Sequence, residues 1–254
     1  MPSLLFTARF PVFDANVCVG DLYDQPAACR NRVGLLTEMD RHGVGRALIY
    51  HVQAETISPI DGNRYLHEWL GTDGRLEAQW LVMPTEDSLE QIQALRRQGQ
   101  VRSVRLFNSR EVGLPFLPWA YGDLLTWLSE ESIPLWIALP EANLNELITT
   151  LQAYPKLVTV LVGAHYSHAL WVRPLLQMVP NAHLELSRYE SIGEYEALCD
   201  CFGAVRLIYG SWYWRYAMGP MLYYLHHTRL RDDELSLICA GNLERILRGE
   251  RRHD

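Results

Sequence analysis

Eight short apolar segments alternate with helical segments along this chain, and this alternation constrains the fold more than any other feature. The first segment, Val12 to Gly20, carries β-branched and aromatic residues that favour extended backbone. Nearly continuous apolar runs are typical of strands that are covered on both faces. The predicted strands are Val12–Gly20, Arg46–Val52, Leu76–Met83, Ser103–Asn108, Pro134–Leu139, Val158–Ala164, Ala182–Ser187 and Leu207–Trp212.

Helical patterns with recognisable end signals separate these strands. One pattern begins at Gln25-Pro26 and ends at Gly43, and a second begins at Ser58-Pro59 and runs to Gly71. The later predicted helices are Asp87–Arg97, Trp119–Glu131, Asn143–Ala153, Leu170–Met178, Glu190–Cys201, Pro220–Thr228 and Asp232–Leu247. Eight βα units in 254 residues match the count and size of a (β/α)8 TIM barrel. We therefore predict an α/β fold with a single barrel domain over residues 1–254; a doubly wound open sheet is the alternative.

Composition limits the classes of partner. The formal net charge of −7 argues against a nucleic-acid-binding surface. Apolar runs of about 18 residues are missing, so we predict no membrane span, and the first residues lack the pattern of a signal peptide. Five cysteines, an odd number, do not indicate a disulfide framework. We expect a cytoplasmic protein with reduced thiols, and the many aromatic residues on predicted helices favour a homo-oligomer.

The candidate site lies where the strands end, because TIM barrels carry their active sites at the C-terminal strand ends. Asp14, Asn16 and Cys18 are spaced by two on the first strand, so their side chains point to the same side. The other candidates at strand ends are His51, Arg105, Glu141, His165, Glu185 and Trp212. Arg105 is expected to pair with Glu141, Asp14 or an anionic ligand, because an unpaired buried charge is costly. Such a set suits a small polar or anionic ligand.

Several motifs, in order along nearly the whole chain, resemble the amidohydrolase-related family known as amidohydrolase 2. Phe202–Ser211 is similar to that family's approach to strand eight, which reads Phe-Gly, an apolar strand and then Gly-Ser. Asp232-Asp233-Glu234 and Ala240-Gly241-Asn242, with Arg245-Ile246-Leu247, resemble its closing helix. The resemblance implies a TIM barrel and, in an intact member, a metal-dependent hydrolase or decarboxylase.

The resemblance also implies which positions carry the family's metal ligands, and most of these positions hold other residues in this chain. The strand-one His-x-His of the family corresponds to Asn16 and Cys18, the strand-five His to Ala138 and the strand-eight Asp to Trp212. The strand-six His corresponds to His165. Neutral Asn is a poor zinc ligand, whereas a Cys thiolate is a good one. The prediction is no cofactor, with zinc as the alternative.

Three functions remain open at this point. The first is a barrel that has lost most metal ligands and acts as a non-metal small-molecule-binding or scaffold protein. The second is a metal-independent hydrolase, lactonase or decarboxylase acting on a small carboxylate. His165, Asp14 or Glu185 would then be the general base and Arg105 an anion clamp. The third is a metal-dependent hydrolase with a rearranged Cys18–His165 site. The ligand-binding candidates are Asn16, Cys18, His51, Arg105, Glu141 and Trp212.

Overall fold

The computed structural model describes residues 6–21, 31–107 and 113–250. Within these residues, parallel strands alternate with helices and form the (β/α)8 TIM barrel that the sequence predicts. The strands are β1 (Phe13–Val19), β2 (Arg46–His51), β3 (Leu76–Ala78), β4 (Trp80–Val82), β5 (Val104–Leu106), β6 (Leu135–Ala138), β7 (Thr159–Val162), β8 (Ala182–Glu185) and β9 (Leu207–Ile208).

The third barrel strand is divided in two, which the sequence did not indicate. β3 pairs with β2 and β4 pairs with β5, so the pairing partner changes at Gln79 between them. The last strand joins the first through backbone hydrogen bonds: the Ala15 N–H donates to the Tyr209 carbonyl at 3.1 Å and the Cys18 N–H to the Tyr213 carbonyl at 2.5 Å. These bonds close the barrel.

Most helices cover the outside of the barrel. The helices are α1 (Arg32–His42), α2 (Val52–Thr56), α3 (Pro59–Leu70), α4 (Glu86–Arg97), α5 (Pro118–Glu130), α6 (Leu144–Ala153), α7 (Ala169–Met178), α8 (Glu194–Phe202), α9 (Met218–His226), α10 (Asp232–Ser236) and α11 (Asn242–Leu247). Of these, α2 lies at the barrel mouth and α11 packs against the apolar cluster inside the barrel. Among these described helices, none is both long and apolar enough to cross a bilayer.

Most predicted helix ends are confirmed, and three differences matter. Ser58 and Asn143 cap α3 and α6 through their side chains, as the sequence indicates. The predicted start at Glu190 is wrong, because α8 begins at Glu194. The preceding Gly193 has a φ of 77°, which is incompatible with a right-handed helix. A π-helical stretch over 237–241 interrupts the predicted closing helix, and α2 was not predicted. The predicted start at Gln25-Pro26 lies outside the described residues.

Alternate strand residues enter two separate apolar clusters. On β7, Val160 and Val162 belong to one cluster with Phe13 from β1, whereas Leu161 belongs to the other with helix residues such as Leu147. Because successive strand side chains point to opposite faces, the first cluster fills the barrel and the second joins the barrel to its helices. The interior is therefore packed, and any site must be built at the strand ends.

Candidate functional site at the barrel mouth

Arg105, on β5, is the centre of a buried polar network at the C-terminal strand ends. Its Nη1 donates to Asn16 Oδ1 at 3.1 Å and its Nη2 to Glu55 Oε1 at 3.4 Å. The guanidinium carbon lies 4.2 Å from the centroid of the Tyr50 ring. Burial lowers the pKa of Arg105, but the charges of Tyr50, Glu55 and Glu141 raise it above its ordinary value. The sequence predicted Glu141, Asp14 or an anionic ligand as the partner of Arg105. The carboxylate that accepts the hydrogen bond is instead Glu55, which sequence analysis did not select, and Glu141 acts on Arg105 through its charge.

Glu55 lies between two guanidinium groups. Its Oε2 accepts a hydrogen bond from Arg215 Nη2 at 2.6 Å, while its Oε1 faces Arg105. Glu55 is on α2, which begins directly after β2, and Arg215 is in the loop after β9. Neither residue carries a local sequence signal. A buried strand arginine that demands a counter-ion is the signal that could have led to Glu55.

Asn16 connects Arg105 to the carboxyl group of Glu185. Its Nδ2 donates to Glu185 Oε2 at 3.2 Å, and Ser187 donates to Glu185 through its N–H at 2.7 Å and its Oγ at 2.9 Å. Burial raises the pKa of Glu185 to about 7, against the lowering effect of these hydrogen bonds. Gly210 permits this packing, because a Cβ there would lie 2.1 Å from Glu185 Oε1.

Asp14 ties the first strand to the last. Its Oδ1 accepts hydrogen bonds from the backbone N–H groups of Asn16 at 3.0 Å and Ser211 at 2.9 Å. Burial raises the pKa of Asp14 to about 6, although hydrogen bonds from Ser211 and Asn16 lower it. Its position makes it a backbone acceptor that holds the barrel closure.

Trp212 fills the mouth above the strands. It is buried, has a φ of 52°, and donates a hydrogen bond from Nε1 to Tyr50 Oη at 3.0 Å. A Cβ on Gly163 would lie 2.7 Å from the indole ring, so the ring rests directly on that backbone. Tyr216, with its ring centroid 6.0 Å away, lies beside Trp212 and reaches solvent.

Cys18 and His51 are buried, and their contacts are structural. Burial, and next the charge of Glu55, raise the pKa of the Cys18 thiol to about 12, so the thiol is protonated at neutral pH. His51 caps α2, its Nδ1 accepting from the Gln53 N–H at 3.3 Å. Burial lowers the pKa of His51 to about 4, and the imidazole is neutral at pH 7.

His165 stands apart from this network at the rim of the mouth. Its Nδ1 lies 2.9 Å from Ser167 Oγ, and its backbone N–H donates to His168 Nδ1 at 3.1 Å. Its ring centroid is 3.9 Å from that of Tyr166, and the side chain is only partly buried. His165 therefore caps a short turn and has different neighbours from Cys18.

The donor chemistry of these strand ends does not fit a divalent metal. The Asn16 amide oxygen accepts from a guanidinium, and Ala138 has no donor atom. The positive charge of Arg105 would repel a dication at this place. Within the described residues, no group of three or more His, Cys, Asp or Glu side chains is arranged to hold a metal ion.

The molecule is thus a TIM barrel whose mouth holds its own ion network, with Asp14, Asn16 and Glu185 buried beneath it. No protein-family model matches the sequence, and no curated protein matches it.

Solved structures share the fold at low sequence identity. An uncharacterised TIM-barrel protein from Bordetella bronchiseptica is 15% identical, with 96% of this chain and 100% of that chain covered, at a TM-score of 0.72. A dihydroxybenzoic acid decarboxylase from a Polaromonas species, with bound manganese and 2-nitroresorcinol, is 12% identical, with 96% and 98% covered, at 0.74. An amidohydrolase from Burkholderia multivorans with bound zinc is 13% identical, with 94% and 99% covered, at 0.71. These similarities establish a shared fold.

Proposed function

We propose that this chain is a single-domain, metal-free TIM barrel that binds a small planar anion at the rim of its mouth. The observation that carries the proposal is the Glu55 carboxylate held between Arg105 and Arg215. The charge of Glu141 also raises the pKa of both arginines, so the group as a whole is close to neutral, and a ligand carboxylate would pair with the solvent-exposed part of Arg215. The network thereby fixes a partly exposed guanidinium at the C-terminal end of the barrel, where TIM-barrel enzymes carry their active sites.

Arg215 is the member of this trio that can meet a ligand. Its side chain is 28% exposed, whereas Arg105 is almost fully buried. Its guanidinium carbon lies 5.5 Å from the centroid of the buried Trp212 ring, so a ligand bound by Arg215 would lie close to an aromatic group. Guanidinium groups bind carboxylates through paired hydrogen bonds. A decarboxylase with the same fold has been solved with 2,6-dihydroxybenzoate, which supports small aromatic carboxylates as the ligand class.

The test combines metal analysis with ligand titration. Protein purified without chelator is expected to contain less than stoichiometric zinc or manganese. A panel of benzoates is then titrated while tryptophan fluorescence is recorded, because Trp212 lies beside Arg215. Arg215→Gln is expected to weaken binding at least tenfold, about 1.4 kcal/mol, since a charge-assisted pair is lost.

Arg231→Gln is the matched control, because Arg231 is exposed and pairs with Asp233 away from the mouth. This variant is expected to bind like the wild type. One equivalent of metal per chain would contradict the metal-free proposal. Equal affinities of wild type and Arg215→Gln would contradict the assigned ligand site.

One observation favours a second candidate, a metal-independent hydrolase or decarboxylase. The raised pKa of Glu185, about 7, is near the value that suits a general acid or base at neutral pH. His165 would then act at the rim, where it is partly exposed. Wild type and His165→Ala are compared on esters, lactones and aromatic carboxylates. Turnover that falls in His165→Ala favours this candidate, and equal background rates exclude it for those substrates.

A further inference from the structure

The segment before β1, residues 6–11, lies against the end of α9 and is here called the strap. Its alternate residues Phe6, Ala8 and Phe10 are partly buried against the apolar cluster that joins the barrel to its helices, and the residues between them are exposed. Within the described residues, the strap makes one backbone hydrogen bond, from the Arg9 N–H to Nε2 of His226 at 3.3 Å. Regular strands and helices pair almost every backbone group, so this bond has no neighbours that could replace it.

His226, the last residue of α9, can accept this bond because its imidazole is neutral. Its Nδ1 lies 2.8 Å from the Leu222 carbonyl oxygen. A carbonyl accepts hydrogen bonds but does not donate them, so Nδ1 carries the hydrogen. Nε2 is therefore the unprotonated nitrogen of the ring and the acceptor for Arg9. A second proton on the ring would bind at Nε2, and the new N–H would point at the Arg9 N–H.

The surroundings of His226 oppose this second proton while the strap is bound. Burial lowers the pKa of His226; the hydrogen bond to the backbone carbonyl raises it, and the charges of Arg9 and His227 lower it. Asp232 on α10 pairs with the Arg9 guanidinium at 3.0 Å. Burial raises the pKa of the Cys239 thiol to about 12, although Arg9 lowers it, so this neighbouring group is uncharged at neutral pH.

The apolar contacts of the strap meet at the same imidazole. The centroid of the Phe6 ring lies 5.2 Å from that of His226, and the centroid of the Phe10 ring lies 6.4 Å away. Phe6 also contacts Tyr223, one turn earlier on α9, with ring centroids 5.4 Å apart. A change at His226 therefore acts on the hydrogen bond and on the packing of the strap together.

We propose that the strap is an acid-sensitive clamp, which His226 holds while its imidazole is neutral and releases when Nε2 takes up a proton from solvent. The proton forms a new N–H bond at Nε2, and the hydrogen bond from the Arg9 N–H is broken. This inference does not depend on the proposed ligand site at the barrel mouth.

The direction of the effect follows from the two states of His226. Once the strap is released, the imidazole meets water and its pKa returns to the ordinary value of about 6.5. Because the pKa is lower in the bound state, the released state binds more protons. The bound strap is therefore favoured above about pH 7, and the released fraction increases as the pH falls below about 6.5.

Hydrogen exchange of backbone amides in the intact chain tests the proposal. Exchange of the Arg9 amide is followed by NMR on 15N-labelled protein from pH 8 to pH 5, and each rate is divided by that of an unstructured peptide at the same pH. The protection of Arg9 is expected to be constant above pH 7 and to fall by at least about fivefold between pH 7 and pH 5. The amides of β1 (Phe13–Val19), which belong to the barrel, are expected to keep their protection.

His226→Gln removes the titration and keeps an acceptor. Its amide oxygen can accept from the Arg9 N–H and does not take up a proton, so the protection of Arg9 is expected to be the same at pH 5 and pH 7. His227→Gln is the matched control, because His227 is an exposed histidine that bonds the Tyr223 carbonyl at 2.7 Å and makes no bond to the strap. This variant is expected to keep the pH dependence of the wild type.

Three results would overturn the proposal. The first is a wild-type protection of Arg9 that does not change from pH 8 to pH 5. The second is a fall of equal size in His226→Gln, because another group would then be responsible. The third is a parallel loss in β1, because the barrel itself would then be unfolding. If His226→Gln does not fold, the 15N shifts of the wild-type imidazole decide: Nε2 must take up its proton over the pH range in which Arg9 loses protection, and titration in another range contradicts the proposal.

Discussion

The buried network under Trp212 and the exposed residues Leu170 and Ile192 follow strands of the same barrel, but their side chains have opposite environments. In the network, Arg105, Asn16 and Glu185 are fully buried and satisfy one another. Leu170 and Ile192, by contrast, are exposed to solvent. The first arrangement stabilises the fold, whereas exposed side chains contribute little to it. Substitutions should therefore lower stability more in the network than at the rim.

The largest effect is expected from Glu55→Gln. This change leaves Arg105 and Arg215 beside a neutral amide, and removing one member of a buried ion group costs about 3–5 kcal/mol. Urea denaturation measures the free energy of unfolding. Glu131→Gln is the control, because the Glu131–Arg96 pair is half exposed and its loss should cost less than about 1 kcal/mol. Equal losses in both variants would mean that the network does not stabilise the barrel.

The contribution of Glu185 and Asp14 to stability should fall as the pH rises, by a few kcal/mol, whereas His51, with its pKa lowered to about 4 by burial, contributes in the opposite direction below about pH 6.5. The pKa of Glu185 rises from 4.5 to about 7 on folding, and that of Asp14 from 3.8 to about 6. The folded chain therefore binds more protons than the unfolded chain between about pH 4 and pH 7. The stabilisation from these protonated groups is fully present below pH 4 and is lost as the pH rises through 6 and 7, at about 1.4 kcal/mol per unit for each group.

The measurement is the free energy of unfolding from pH 4 to pH 8 for wild type and Glu185→Gln. The difference between the two curves is expected to slope in this range, because the amide does not titrate. Asp233→Asn serves as the control, since Asp233 is exposed and its pKa is lowered by Arg231. A wild-type curve parallel to that of Glu185→Gln would show that Glu185 does not bind an extra proton in the folded chain.

The fold was predictable because its sequence signals are local. The pairing partners within the buried network could not be predicted in this way. A strand is indicated by the apolar run Val158–Ala164, and two helix starts by the capping residues Ser58 and Asn143. These signals can be recognised without the rest of the chain. Arg105 was identified from its strand-end position, but Glu55 and Arg215 meet it only through the closed barrel.

The exposure of residues at the rim was also not predictable from the sequence. Leu170 was placed at the start of a helix, where an apolar residue is usually buried, yet it faces solvent. Ile192 was assigned to a helix that begins later, at Glu194, so the pattern gave no reason to expect it on a surface loop. Periodicity indicates which face of an element is apolar, and tertiary contacts decide whether that face is covered.

A smaller effect, about 1 kcal/mol, is expected for the hydrogen bond that holds Trp212. Trp212 Nε1 donates to Tyr50 Oη at 3.0 Å, and a buried neutral hydrogen bond contributes about 0.5–1.5 kcal/mol. A double-mutant cycle of Trp212→Phe and Tyr50→Phe isolates this coupling from the volume lost in Trp212→Phe. The parallel cycle with Tyr216→Phe should give less than about 0.5 kcal/mol, because no hydrogen bond joins the two rings. Equal couplings would mean that packing alone retains Trp212.

The smallest effect on stability is expected for His165→Ala. His165 is partly exposed and bonds only near neighbours in its own turn, so the free energy of unfolding should change by less than about 0.5 kcal/mol. His51→Ala is the informative control, because His51 is buried and caps α2, and loss of a cap costs about 1 kcal/mol. If His165→Ala were as destabilising as Glu55→Gln, the rim would belong to the buried network. The difference between a buried network and an exposed rim would then not hold at His165, the histidine that the sequence places at the end of the sixth strand.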